Sequence, residues 1–158
     1  MENLEIKQDW DNDGMLVISN AKTIKHYIEL KKELDECDIH KFDMFFAYNN
    51  KQFDEGLNSI RPLAEGESIY EFGQGAYGTK DGIDKYVAFC KNVKKRIAEE
   101  CDPQEVYCYE FNNYESFIAY DGDANVIRLI AEYWGWDIAA KIRRYSKFYD
   151  IEDLKSWN

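Results

Sequence analysis

The sequence predicts an α+β fold: one domain, residues 1–158, in which amphipathic helices and a C-terminal helical pair flank a mixed, mainly antiparallel sheet. Three observations predict it. A chain of 158 residues with 45% hydrophobic and 16% aromatic residues can close one core and is far from the aromatic-poor composition of a disordered chain. Segments with apolar residues at helical spacing alternate with short aromatic or β-branched runs bounded by Gly, Asn and Asp. No repeat or low-complexity linker divides the chain.

The elements follow in order. Residues 1–20 read as an N-terminal hairpin or extension, LEIKQDW and MLVIS around the turn Asn12-Asp13-Gly14. Ser19 or Asn20 can cap a helix over 21–37, whose apolar side carries Ile24, Tyr27, Ile28, Leu34 and Cys37. FDMFFAY, 42–48, is short and aromatic and reads as a buried strand. Asn49 or Asn50 can cap a short helix through Leu57, and a second strand covers 67–72 after the break at Gly66. A glycine-rich loop follows. Thr79 then caps the longest stripe of the chain, Ile83, Tyr86, Val87, Cys90, Val93, Ile97 and Cys101, a helix over 80–101 that Pro103 stops. Residues 105–111 and 114–120 read as a hairpin turning at Asn112-Asn113. Both its faces are apolar, as in a central pair covered by helices. Asp121 or Asp123 caps a helix carrying Val126, Ile127, Ile130, Tyr133 and Trp134. Gly135 interrupts it, and a second segment runs through Ile138 and Ile142 to about 148. The tail adds a further helical turn.

Several classes fall away. Cys37, Cys90, Cys101 and Cys108 show no C-x-x-C spacing and read as buried free thiols. His26 and His40 leave little material for a metal site or a histidine-based triad, and no cofactor is expected. No apolar run approaches the ~18 residues of a membrane span, and the acidic N-terminus lacks a signal-like apolar stretch. The reducing cytoplasm is the expected compartment. The net charge of −11 argues against a surface that tracks phosphate, so direct nucleic-acid binding is not expected.

Three motifs carry candidate chemistry. Asp9, Asp11 and Asp13, followed by Gly14, match the first half of a calcium-binding EF-hand loop, but Asn20 stands where the bidentate glutamate belongs. An acidic turn without metal is the preferred reading. Gly73, Gly75 and Gly78, between an expected strand and helix, match the dinucleotide fingerprint. Lys80 is the nearest cation, so a small anion or nucleotide is the alternative ligand reading. The fingerprint expects an acid about 20 residues on. Glu110 lies 32 residues past Gly78, and a structural turn is preferred. Lys91, Lys94, Lys95 and Arg96, with Lys141, Arg143, Arg144 and Lys147, are interleaved with aromatics, yet they lie on the polar sides of amphipathic helices and read as solvated faces.

Charge is uneven. Residues 1–20 hold five acids and one base, 42–72 six and two, and 102–125 six and none, whereas 73–101 and 126–158 are weakly basic. Such a dipolar molecule can meet a basic partner through its acidic side. Glu110 and Glu115 flank the Asn112-Asn113 turn as a carboxylate pair, but no nucleophile accompanies them, and an enzyme is not expected.

Phe42-x-x-Phe45-Phe46-Ala47-Tyr48, then Gln52-Phe53-x-Glu55-Gly56, a glycine cluster, and Tyr109-Glu110-Phe111-Asn112-Asn113-Tyr114-Glu115 resemble a group of short, uncharacterised phage and bacterial proteins with an FFAF-like strand, a QFxEG segment and an ELNNHE-like hairpin. The likeness spans about 42–145, with Tyr114 in place of that hairpin's histidine. It implies a phage or mobile-element origin and, by analogy, a protein that binds and inhibits a host defence or nucleic-acid-handling protein, of the anti-CRISPR type, in the host cytoplasm. Partner-binding candidates on the acidic surface are Asp9, Asp11, Asp13, Glu110, Glu115, Asp121 and Asp123. The alternative is a nucleotide sponge using Gly73, Gly75, Gly78 and Lys80. Homodimerisation is left open.

Overall fold

The computed structural model describes residues 8–9, 15–116, 122–142 and 150–156. They include a three-stranded antiparallel sheet, a two-stranded pairing and several helices, the predicted α+β class. The chain divides into two compact units, residues 32–93 and residues 1–31 with 94–158. Each is described by itself.

The 32–93 unit is built on strands β3 (Met44–Phe46), β4 (Ile69–Gly73) and β5 (Ala76–Thr79), in the order β3-β5-β4. Alternation along β3 sends Phe45 to one face and Met44 and Phe46 to the other. On the Phe45 face lies helix α2 (Asn50–Ser59), whose Asn49 cap accepts from the Gln52 amide at 2.9 Å. Phe45 stacks on its cross-strand partner Tyr77 at 5.8 Å between ring centres, and Phe53 meets both rings edge-on. Gly56 lets the helix sit directly on this cluster, since a Cβ there would overlap the Phe45 ring. The expected glycine loop is the β4–β5 hairpin. Gln74 (φ 52°) and Gly75 (φ 79°) form its two-residue turn with positive φ at both positions, as a type I′ turn requires. Helix α3 (Lys80–Glu100) starts where β5 ends. Thr79 caps it as predicted, its hydroxyl accepting from Gly82 N at 3.0 Å.

In the other unit, β1 (Gln8–Asp9) pairs antiparallel with β2 (Met15–Leu16), the described part of the N-terminal hairpin. Helix α1 (Ala21–Asp35) is capped by Asn20, which accepts from Thr23 N at 3.2 Å. Helices α5 (Ala124–Trp134) and α6 (Trp136–Lys141) are separated at Gly135, whose φ of 87° suits glycine, and α7 (Ile151–Ser156) is the tail turn. The core here includes Tyr27, Leu30, Ile97, Val106, Phe111, Ile127 and Ile130, all within a few per cent of complete burial.

One expected element is overturned. Residues 105–111 are not a strand: Pro103–Asn113 is a helix, α4, and residues 117–120 of the supposed second strand lie outside the described residues. Asp102 caps it, accepting from Gln104 N at 2.9 Å, and Pro103 sits in the first turn. Pro103 therefore opens a helix as well as following one. Gln104 to Cys108, Glu110 and Phe111 are all buried, so the helix is enclosed almost all round and shows no polar stripe to betray its period.

Candidate functional site: an aromatic sheet face

On the Met44–Phe46 side of the 32–93 sheet Met44 and Ala76 are buried, while Phe46, Tyr70 and Phe72 stay about half exposed. Residues opposite one another in the ladder share a face, so Met44, Gly78 and Tyr70 form one row, and Phe46 and Ala76 the next. The register slips between Glu71 and Gly73, leaving Phe72 as the extra residue of β4. The central strand contributes only Gly78 and Ala76 between these large side chains. The result is a trough of about 440 Å³ with Met44 and Ala76 in its lining, bounded by Phe46, Phe72, Ile39 and Tyr86. Phe72 meets Tyr86 edge-on at 6.0 Å.

Phe46 also lines a second concavity of about 400 Å³, with His40, Tyr48, Gln52, Glu55 and Ser59. Tyr48 is 74% exposed yet held. Its amide donates to Gln52 Oε1 at 2.8 Å, its hydroxyl reaches the Gln74 carbonyl at 3.4 Å, and its ring lies where a Cβ on Gly75 would be. Gly75 thus serves both the turn and the seat of Tyr48. His40 is fixed by Asp38, 3.0 Å from its Nδ1, and the His40 amide and ring hold the Asp38 carboxyl below its ordinary pKa. Phe46, Tyr48, Tyr70 and Phe72 are each about half exposed or more, an unusual concentration of large apolar surface for so small a sheet.

The electrostatic setting is acidic. The unit carries twelve acidic and seven basic residues, net −5. Arg61 is neutralised locally: it grips Glu67 through two 2.7 Å hydrogen bonds and Asp43 at 3.1 Å. The Arg61 hydrogen bonds, aided by the Ala64 amide, push the Glu67 carboxyl down to about 2. Glu55 makes no ion pair among the described residues.

The residues singled out from the sequence are dispersed differently. Glu110 and Asp123 are fully buried, which removes them from any acidic docking surface. Glu110 Oε2 accepts from Tyr27 Oη and Lys31 Nζ, both at 2.9 Å, and Oε1 accepts from Asn113 at 3.0 Å. Asp123 accepts from the Tyr107 hydroxyl at 2.6 Å. Burial first, then the Glu110 carboxylate, push the Tyr27 phenol far above its ordinary range. Glu105, also buried, takes the Ser19 amide on both oxygens at 3.1 and 3.2 Å. Glu115 is exposed at φ 52° just past α4, so it does not face Glu110 across a hairpin. Asp9 lies in β1, and Asp11, Asp13 and Asp121 lie outside the described residues. Gly73 ends β4, Gly75 is in the turn, Gly78 is inside β5 and Lys80 opens α3. The three glycines are therefore spread over a hairpin, and do not form one strand-to-helix loop. Asn112, expected in a turn, acts as a strand surrogate: its side chain accepts from Leu16 N at 2.7 Å and donates to Leu16 O at 2.9 Å. On α3, Lys94 pairs with Glu132, and Lys95 and Arg96 with Glu99 and Glu100, as on a solvated face. All four cysteines are free thiols, with Cys101 and Cys108 buried. No described helix is long and apolar enough to cross a membrane, and among the described residues no cluster of His, Cys, Asp and Glu is arranged for a metal.

FDMFFAY reads as an enclosed strand, whereas Phe46 and Tyr48 are exposed. The available signal was the combination of Phe46, Tyr48, Tyr70 and Phe72 on short strands with an acid-rich flank.

Fold and site together define an α+β protein whose small sheet carries exposed aromatic side chains. Residues 26–140 match the model of a family of unknown function (DUF7659), and the chain belongs to that family. Neither the curated proteins nor the solved structures provide a match.

Proposed function

We propose that this protein is a non-enzymatic binding module that holds a basic protein partner on the aromatic face of its 32–93 unit. The observation that carries the reading is the trough between Phe46 and Phe72, set in a unit of net charge −5. Burial of exposed aromatic rings supplies affinity, and an acidic surround selects a cationic partner and repels phosphate. This differs from a contact made by Glu110 and Asp123, which are enclosed. If the motif resemblance to short phage and bacterial proteins holds, the partner is a host defence or nucleic-acid-handling protein, whose phosphate-binding surface has the matching charge, and the module acts as its inhibitor.

The test is capture from bacterial lysate with the wild-type chain and with Phe46→Ser/Phe72→Ser, whose circular dichroism should be unchanged because both rings are about half exposed. The expected result is a protein with a basic surface that is retained by the wild type, eluted by salt and lost with the variant. Equal recovery by both chains would overturn the reading.

A further inference from the structure

We infer that the concavity beside the trough is a socket for a cationic side chain, the lysine or arginine of the partner, and that the trough takes the apolar residue next to it. The inference rests on the binding-module reading and adds the chemistry of the anchor. Phe46 is the wall common to both concavities, so the two are adjacent. Their linings differ. The trough is lined by Ile39, Met44, Phe46, Phe72, Ala76 and Tyr86, with Gln74 at its rim. The socket is lined by Phe46, Tyr48, Glu55, Gln52, Ser59 and His40, with the buried Phe45 and Gly56 beneath them.

That set suits a cation. An ammonium or guanidinium over an aromatic face is drawn by the ring quadrupole. Two rings and one carboxylate without an ion pair provide that attraction from several sides. Tyr48 is already fixed by Gln52, Gln74 and Gly75, so little ordering remains for the ligand to bring about. An anion finds the opposite: Glu55 repels it, and the one cationic candidate in the lining, His40, is turned to Asp38. An apolar side chain gains nothing from Glu55. A single-stranded nucleic acid could stack its bases on these rings. Its backbone would meet an acidic surround.

The experiment titrates the intact chain with Nα-acetyl-lysine methylamide and Nα-acetyl-arginine methylamide, with the norleucine analogue as the uncharged control. Ring resonances of Tyr48 are followed by proton–carbon NMR at pH ~8, where an ordinary imidazole is neutral. The cationic probes should shift Tyr48 with dissociation constants of about 10 mM or tighter, and norleucine should leave it unmoved. Glu55→Gln should weaken the lysine probe about 5-fold, the factor supplied by a charge pair ~4 Å apart in water. An unmoved Tyr48, an equal response to norleucine, no effect of Glu55→Gln, or a response to a dinucleotide in place of lysine would overturn the socket. Any of these, alongside loss of partner capture by Phe46→Ser/Phe72→Ser, removes the socket and leaves the module. Unchanged capture by that variant removes the module itself.

Discussion

Replacing Lys31 by Met tests whether the buried Glu110 carboxylate needs its cation. The methionine keeps most of the lysine stem, so packing changes little. Glu110 is 0% exposed and, among the described residues, keeps Tyr27 and Asn113 as donors once the ammonium is gone. Stranding a buried charge typically costs ~3–5 kcal/mol. The Lys31 side chain is 27% exposed, so water can take part of the ammonium's place, which sets the loss at about 3 kcal/mol. In a chain of this length that lowers Tm by about 6–12 °C. Urea melts of Lys31→Met, Glu110→Gln and the double variant measure it, with a coupling of about 2 kcal/mol expected because the side chains touch. The exposed Lys32–Glu36 pair, 3.9 Å apart, is the internal control, and Lys32→Met should change little. The pH dependence has a definite sign. Burial opposes the Lys31 charge, but the Glu110 hydrogen bond and charge outweigh it and hold the lysine pKa above its ordinary value. The pair's contribution is therefore whole below about pH 10.4 and fades as pH rises through the folded-state value. A loss no larger than that of Lys32→Met, or single losses that simply add in the double variant, would refute the argument.

Asp102→Ala removes the α4 cap and should cost about 1 kcal/mol, with faster amide exchange confined to the first turn of that helix. Gly56→Ala drives a methyl into the Phe45 ring and should cost about 1–3 kcal/mol by overpacking, read as a lower urea midpoint. Burial pushes the Cys108 thiol from 9 up to about 12. The folded chain then keeps a proton that the unfolded chain sheds, so stability falls as pH climbs above about 9, by about 4 kcal/mol at pH 12 from this residue. Cys108→Ala should flatten that alkaline loss in urea melts across the same range.

Elements with a solvent side were legible from the sequence. Helices α1 and α3 are marked by caps and apolar stripes, α2 by Asn49, and α5 by its apolar stripe, since the side chain of Asp123 makes no capping bond. Helix α4 was not legible by the same test. Its Val106, Tyr107, Cys108 and Phe111 are residues that strands favour, and with Glu105 and Glu110 also enclosed, no charged stripe marks a period of 3.6. The caps were the better guide there: Asp102-Pro103 with Glu105 in the first turn is a helix start. The glycine cluster failed for a related reason. Its spacing fits two structures, and only the pairing of Ala76–Thr79 with both neighbours decides for the hairpin. The site was harder still, because composition gives the number of aromatics and not which of them remain uncovered.

Charge is where the sequence and the structure part most usefully. The segment 102–125 holds six acids and no base, which suggests a docking surface. Yet Asp102 caps a helix, Glu105 holds the Ser19 amide, Glu110 collects three donors and Asp123 takes the Tyr107 hydroxyl. These carboxylates serve the architecture of their own unit, and the three buried ones present no charged oxygen to a partner. The acids that can act at long range are those left in water, and in the 32–93 unit one of them, Glu55, lines the concavity that also holds Phe46 and Tyr48. Charge reversal at Glu105, Glu110 or Asp123 should therefore act through folding, whereas reversal of Glu55 should act through association rate and its salt dependence. The same net charge separates into two physical roles, and stopped-flow association at two ionic strengths tells them apart.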